Sequence, residues 1–377
     1  MSPINASIAC NLDPGILSAA YPLLESGKVD ALEWSFDTLY AAKEIPDWFE
    51  ELLTIYSQSN RLVGHGVFFS LFSGRWSAGQ QAWLDALRQT RQRFNFDHIT
   101  EHFGFMTGKD FHHGAPLSIP YTASTLAIGR DRLKRIQEAG ACAVGLENLA
   151  FSYSLEEVKK HGDFLWELIE PVNGFNILDL HNLYCQMHNF SVEYSEIIKA
   201  YPLDRVREIH ISGGSWDAVQ VPASKIVRRD THDGAVPEEV FRLLELTIAV
   251  CPQLKYIVLE QIGTGLLTAE SQLAFQQDFN WLKEIIANRE EKNAGILCNF
   301  FLPIMPNVPG PVVEDEQLYQ QQFELSRILE NAASYTFAME QLRSSSLANS
   351  AWGLEHWAPY MLETARRIAY TWKDGFA

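Results

Sequence analysis

The stretch Tyr256-Ile257-Val258-Leu259-Glu260-Gln261 is a short apolar run, rich in β-branched residues, that closes on a carboxylate. A run of this length suits one buried strand and is too short for a typical helix. Seven more runs precede it, at Ser7–Leu12, Ala31–Phe36, Arg61–Val67, His98–Gly104, Val144–Leu149, Asn176–Asp179 and Arg207–Ser212. They recur about every 30 to 45 residues, and segments of helical period fill the intervals. Eight alternations of strand and helix are the sequence form of an α/β fold, the (β/α)8 TIM barrel, whose functional side chains stand at the C-terminal ends of the strands. Here those ends carry Asn11, Glu33, His65, His102, Glu147, Asp179, His210 and Glu260.

The helical segments are expected at Pro14–Gly27, Pro46–Gln58, Ala78–Arg93, Thr122–Ala139, Leu155–Ile169, Val192–Ala200, Pro237–Val250 and Ala269–Asn288. A plain barrel needs about 250 residues, so a chain of 377 carries an extension. The expected division is a metal-binding catalytic barrel over residues 1–292 and a C-terminal extension over 293–377. Pro303, Pro306, Pro309 and Pro311 stiffen the connector, and helices are expected at Glu314–Arg343 and His356–Thr371. Such a tail can cover the barrel's flank, form a homo-oligomer contact or dock a partner.

A net charge of −17 disfavours nucleic acid, which is held through clustered Lys and Arg. The five cysteines are odd in number, scattered and without a Cys-x-x-Cys pair, which argues against a disulfide framework and for a reducing cytoplasm. Neither a basic, apolar leader nor a stretch of about 18 apolar residues is present, so no membrane association is expected.

The chemistry lies in the combination of strand-end residues. Three carboxylates (Glu147, Asp179, Glu260) and three histidines (His65, His102, His210) converging on one mouth place several anions in one cavity, and a metal cation resolves their repulsion. A mixed His and carboxylate set suits iron, manganese or zinc better than magnesium. Asp230 and His232 follow the seventh run and open onto the same mouth, with a turn and a helix cap before Pro237 as the other reading, and His181 and Asn182 follow Asp179. One ion takes about four to six ligands, so these ten candidates imply more than one metal.

The long aromatic loops after the third and fourth runs are expected to roof the mouth, with Phe69 and Phe105 against substrate. Glu33 and Asn148 are read as substrate contacts, with hydrogen bonding inside the barrel layer as the other reading. His112-His113 lies in the loop before Pro116 and is set aside as a ligand pair.

Val63-Gly64-His65-Gly66-Val67, Thr100-Glu101-His102-Phe103, Leu146-Glu147-Asn148, Leu178-Asp179-Leu180-His181-Asn182, Ile209-His210-Ile211, Asp230-Thr231-His232-Asp233 and Leu259-Glu260 follow one another in a telling order. In order and spacing they resemble the motifs of the multinuclear non-haem iron-dependent oxidative enzymes, the group of the methanobactin-biosynthesis oxidase and the thiaglutamate-biosynthesis enzyme. The resemblance covers about residues 5 to 290. It implies a TIM barrel with two or three irons of mixed valence, dioxygen as co-substrate, and a ribosomally made peptide whose cysteine is modified, in natural product biosynthesis. It also implies His65, His102, Glu147, Asp179, His210, Asp230, His232 and Glu260 as ligands, with Glu147 bridging and His181 or Asn182 serving a third iron. Catalysis would centre on His65, Glu147, Asp179 and His210, and a peptide-recognition protein accompanies many members.

The chain departs from that pattern in two places. Where the family has two asparagines after the sixth-strand aspartate, His181 precedes Asn182; where it has Ala-Gly-His after the seventh-strand histidine, Ser212-Gly213-Gly214 stands. Two other classes stay open at this point. One is a divalent-metal sugar isomerase or epimerase, or an endonuclease-like barrel, although no Lys sits at a predicted strand end. The other is a non-enzymatic barrel whose acidic mouth binds a partner.

Overall fold

The computed structural model describes residues 4–40, 42, 44–107, 114, 116–221, 223–289, 298–304 and 309–374. His112-His113 lies outside the described residues. Eight strands close into one barrel: β1 (Asn5–Cys10), β2 (Ala31–Trp34), β3 (Leu62–His65), β4 (His98–His102), β5 (Ala143–Glu147), β6 (Phe175–Asp179), β7 (Val206–Ser212) and β8 (Tyr256–Glu260). Every barrel pairing is parallel, and β8 returns to β1. These strands are buried on both faces, which is why they read as unbroken apolar runs and not as alternation.

The register sets the future site at one level. His102 lies opposite Glu147, and Asp179 opposite His210. Between the strands run α1 (Pro14–Glu25), α2 (Asp47–Gln58), α3 (Ala78–Arg93), α4 (Ala123–Gly140), α5 (Leu155–Ile169), α6 (Leu180–Phe190), α7 (Glu238–Ile248) and α8 (Ala269–Ala287). The starts of α1, α3, α4, α5 and α8 are held by side-chain caps from Asp13, Ser77, Thr122, Ser154 and Thr268, each satisfying a backbone N–H that the first helical turn leaves orphaned.

One helix differs from expectation. The sixth begins at Leu180, directly after β6, and not at Val192, because Asp179 is both the strand-end carboxylate and the N-cap of α6. Residues Val192–Ala200 form only a short helix and a 3-10 turn.

The C-terminal segment forms α9 (Glu316–Asn331), α10 (Tyr335–Arg343) and α11 (Pro359–Trp372). The single helix expected over Glu314–Arg343 is two, since Ser334 caps a new start at Tyr335 by accepting from the Phe337 N–H. These helices roof the loops after β3, β4 and β5. Gly74 N–H donates to Gln322 Oε1 (2.9 Å), Gln322 Nε2 donates to Phe72 O (2.7 Å), and the Trp357 ring stacks on Tyr153 with centroids 3.8 Å apart. Leu325, Leu329, Trp357 and Leu362 belong to the same continuous core as the barrel. At the other end Phe301 is fully buried among Ala143, Phe175 and Ile177, below the starts of β5 and β6. Among the described residues no helix is long and apolar enough to cross a membrane.

Candidate metal centre

The strand ends deliver four overlapping groups, in each of which one ligand-type atom per residue lies within 4.8 Å of the others. They are His65, His102 and Glu147; Glu147, Asp179 and His210; Glu33, His210 and Glu260; Asp179, His232 and Glu260. Glu147, Asp179, His210 and Glu260 each belong to two groups, so the four form a ring across the mouth.

In the first group the imidazoles are oriented from behind. Thr100 Oγ1 donates to Gly64 O and so accepts from His65 Nδ1 (2.8 Å), while His102 Nδ1 donates to Gly66 O (3.2 Å). Both Nε2 atoms then face Glu147 Oε2, at 3.4 and 3.5 Å. A histidine whose other nitrogen is tied to a carbonyl or hydroxyl is set up as a metal ligand.

Asn148 clasps the backbone of Asp179: its Oδ1 accepts from Asp179 N–H (2.7 Å) and its Nδ2 donates to Asp179 O (3.1 Å). Asn182 Nδ2 donates to Glu147 Oε1 (3.0 Å) and to Asn148 O (2.8 Å). His210 Nε2 lies 3.1 Å from both Glu33 Oε2 and Glu208 Oε1, and its Nδ1 lies 3.3 Å from Glu260 Oε2. His232 Nδ1 is 3.5 Å from Glu260 Oε1, and its Nε2 is 2.8 Å from Asp230 Oδ1. His232 has φ of 53°, in the left-handed region that is uncommon for a residue with a side chain.

His181, expected as a ligand, has both nitrogens engaged. Arg228 Nε donates to Nε2 (3.0 Å), so the proton sits on Nδ1 and is donated to Asp230 Oδ1 (2.9 Å). It stands behind Asp230 and in none of the four groups. The expected substrate contacts Glu33, Phe69, Phe105 and Asn148 are all buried among protein partners. The Phe69 ring packs on Trp83 and the Phe105 ring on Trp352, so these residues anchor the roof loops.

A metal-free mouth of this kind has to keep protons to balance its charge. Burial pushes the Glu147 carboxyl well above the usual carboxylate range, and Asp179 and Glu260 add to the effect against His210. Burial likewise raises Asp179 to about 7 and Glu33 to about 8. Although burial opposes it, His232 and His210 hold Glu260 well below its ordinary value. His210 and His232 are in turn raised, against burial, by Glu33 and Glu208 and by Asp230 and Glu260 respectively.

The donor set fits metal. Buried atoms without a hydrogen bond include His65 Nε2, Glu147 Oε2, Asp179 Oδ2, Asn182 Oδ1, His210 Nδ1 and Glu260 Oε2. Orphaned buried polar atoms are rare because each costs about 1–3 kcal/mol, and a shared cation removes that cost for all of them.

A family model described as the RiPP precursor modification enzyme MbnB/TglH/ChrH matches residues 29–262. The chain belongs to that family. The matched span of the MbnB/TglH/ChrH family contains Glu33, Glu260 and every candidate ligand between them. A UPF0276 protein of Acaryochloris marina is 30% identical over 152 residues, 40% of this chain and 54% of its own length. One of Chromobacterium violaceum is 29% identical over 145 residues, 38% and 50% of the two chains. The chain thus spans about half the length of the curated relatives it matches. A solved structure of the IolI protein with a zinc atom is 12% identical, covers 76% of this chain and 100% of that one, and has a TM-score of 0.47.

Thr100, Asp37, His98 and Glu208 support the site without having stood out in the sequence. Asp37 Oδ2 accepts from Val67 N–H, Phe68 N–H and Trp83 Nε1, which pins the loop after β3.

Proposed function

We propose that this chain is an oxidoreductase that uses two or three non-haem iron ions and dioxygen to modify a side chain, cysteine first, of a ribosomally synthesised peptide. The observation that carries this reading is the ring of four ligand groups with its orphaned atoms, in a chain of a peptide-modifying family. His65, His102 and Glu147 would hold one ion, Asp179 and His210 with Glu147 a second, and Asp230, His232 and Glu260 a third. Iron bound there would supply the redox capacity and open coordination positions that dioxygen chemistry needs.

The protein's own work is orientation and exclusion of water. Thr100 and the Gly66 carbonyl aim the first two histidines, Asn148 aims Asp179, and the roof over Phe69 and Phe105 keeps the neighbouring loops closed to solvent. The peptide, delivered alone or by a recognition protein, would enter at the mouth, where the ligand groups stand at the strand ends.

The test is metal analysis with electron paramagnetic resonance on protein purified anaerobically from iron-supplemented cells, followed by oxygen uptake with a cysteine peptide encoded beside it. Two or more irons per chain, a coupled mixed-valence signal and peptide-dependent uptake are expected. One zinc or manganese ion with no iron would overturn this in favour of a divalent-metal sugar isomerase or epimerase.

A further inference from the structure

Two buried ionisable residues outside the proposed ligand set stand behind His210. Glu208 precedes it by two positions on β7, so both side chains point into the barrel, and His98 enters the same layer from the start of β4. Both are 0% exposed. That interior is ordinarily filled by branched apolar side chains, and a carboxylate placed there needs its own donors.

The donors are fixed in direction. Arg207 Nε lies 3.3 Å from His98 Nδ1 and can only donate, so Nδ1 carries the lone pair and Nε2 the proton. His98 Nε2 therefore donates to Glu208 Oε2, at 2.5 Å. The arrangement is anchored further by Asp97, which accepts from Arg207 (2.7 Å). Glu208 Oε1 is left as the acceptor for His210 Nε2 at 3.1 Å. Glu33 shares that proton at 3.1 Å but keeps its other oxygen unpartnered, whereas both oxygens of Glu208 are engaged.

We infer that Glu208, anchored by His98, is a positioning residue that holds the His210 proton on Nε2 and turns the Nδ1 lone pair into the metal cluster beside Glu260. His210 Nδ1 is buried, without a hydrogen bond, and 3.3 Å from Glu260 Oε2, which belongs to the adjoining ion in the proposed set. A carboxylate behind a ligating imidazole fixes its tautomer and raises its basicity. The inference rests on reading the mouth as a metal centre.

The test uses full-length protein, titrated anaerobically with ferrous iron and separately loaded with zinc as a diamagnetic probe. Nitrogen-15 histidine NMR of the zinc form is expected to show His210 protonated at Nε2 and metal-bound at Nδ1. E208A is expected to weaken one metal site about 10- to 100-fold while the His65/His102 site stays filled. H98A should act in the same direction, and H98Q, which still offers an N–H to Glu208, should recover most of the loss. Wild-type affinities in both E208A and H98A, equal losses in H98A and H98Q, or coordination through His210 Nε2 would overturn the inference with the metal centre intact. A wild-type chain that takes up no metal would overturn the metal-centre reading itself and this inference with it.

Discussion

His181 and Gly214 touch: a Cβ on Gly214 would stand 2.8 Å from His181 Cε1, and 2.3 Å from the Arg229 carbonyl oxygen. The chain's two departures from its family's motif pattern fall on this one contact. The imidazole at 181 fills space that a side chain at 214 would need, and from there it braces Asp230.

Substituting Gly214→Ala should therefore disturb the loop that carries Asp230 and His232. Overpacking of this kind costs about 1–3 kcal/mol, to be read from urea unfolding of the metal-free protein. Adding His181→Ala should recover part of that cost, leaving the clash with Arg229 O. Strictly additive losses in the double variant would show that the two residues do not compete for space.

Glu147 faces both the His65/His102 pair and the Asp179/His210 pair, whereas His102 belongs to one group alone. Glu147→Ala should remove more than one ion per chain and His102→Ala about one, measured as metal-to-protein ratio after gel filtration. Equal losses would mean that the groups bind independently.

The raised carboxyls make the empty and filled proteins respond oppositely to pH. Asp179 at about 7 and Glu33 at about 8 bind protons in the native chain that the unfolded chain has already released. Their contribution to the stability of the metal-free protein is full below the ordinary carboxylate range and is lost as pH rises through 7 and 8. A metal must displace those protons, so its affinity should climb over the same interval. Calorimetric titrations in buffers of different ionisation enthalpy should show proton release on binding; release of none, with affinity flat from pH 6 to 8, would contradict the assignment.

The roof is tied down at Tyr153, where Trp357 stacks and Ala358 N–H donates to the Tyr153 carbonyl (2.8 Å). Trp357→Ala empties a well-filled contact and should cost about 3–5 kcal/mol. Limited proteolysis should then cut within the tail before the barrel. A barrel that unfolds together with the tail in one transition would show that the two are a single cooperative unit.

The barrel was legible because parallel strands buried on both faces print as apolar runs, and each run ends within about two residues of its strand. The mouth was legible for the same reason, since a strand end is a fixed address. His98 and Glu208 escaped because they sit at the start and in the middle of their strands, away from the C-terminal ends that mark a site; only the two-residue spacing of Glu208 from His210 hinted at a shared face. The start of α6 was missed because one side chain, Asp179, does two jobs, and a strand-end carboxylate does not advertise itself as a cap. His181 stands apart from the four ligand groups because Arg228, on the hairpin strands Trp216–Gln220 and Ser224–Arg228, engages it, a pairing between distant segments that no local pattern announces.

Phe301, set among Ala143, Phe175 and Ile177, packs the foot of the barrel at the opposite end of β5 from Glu147. If the ring of ligands is a metal centre, a bulky reactant and a small one would share the rim at the C-terminal ends of the strands, and the bulky one would be expected to slow the passage of the small one.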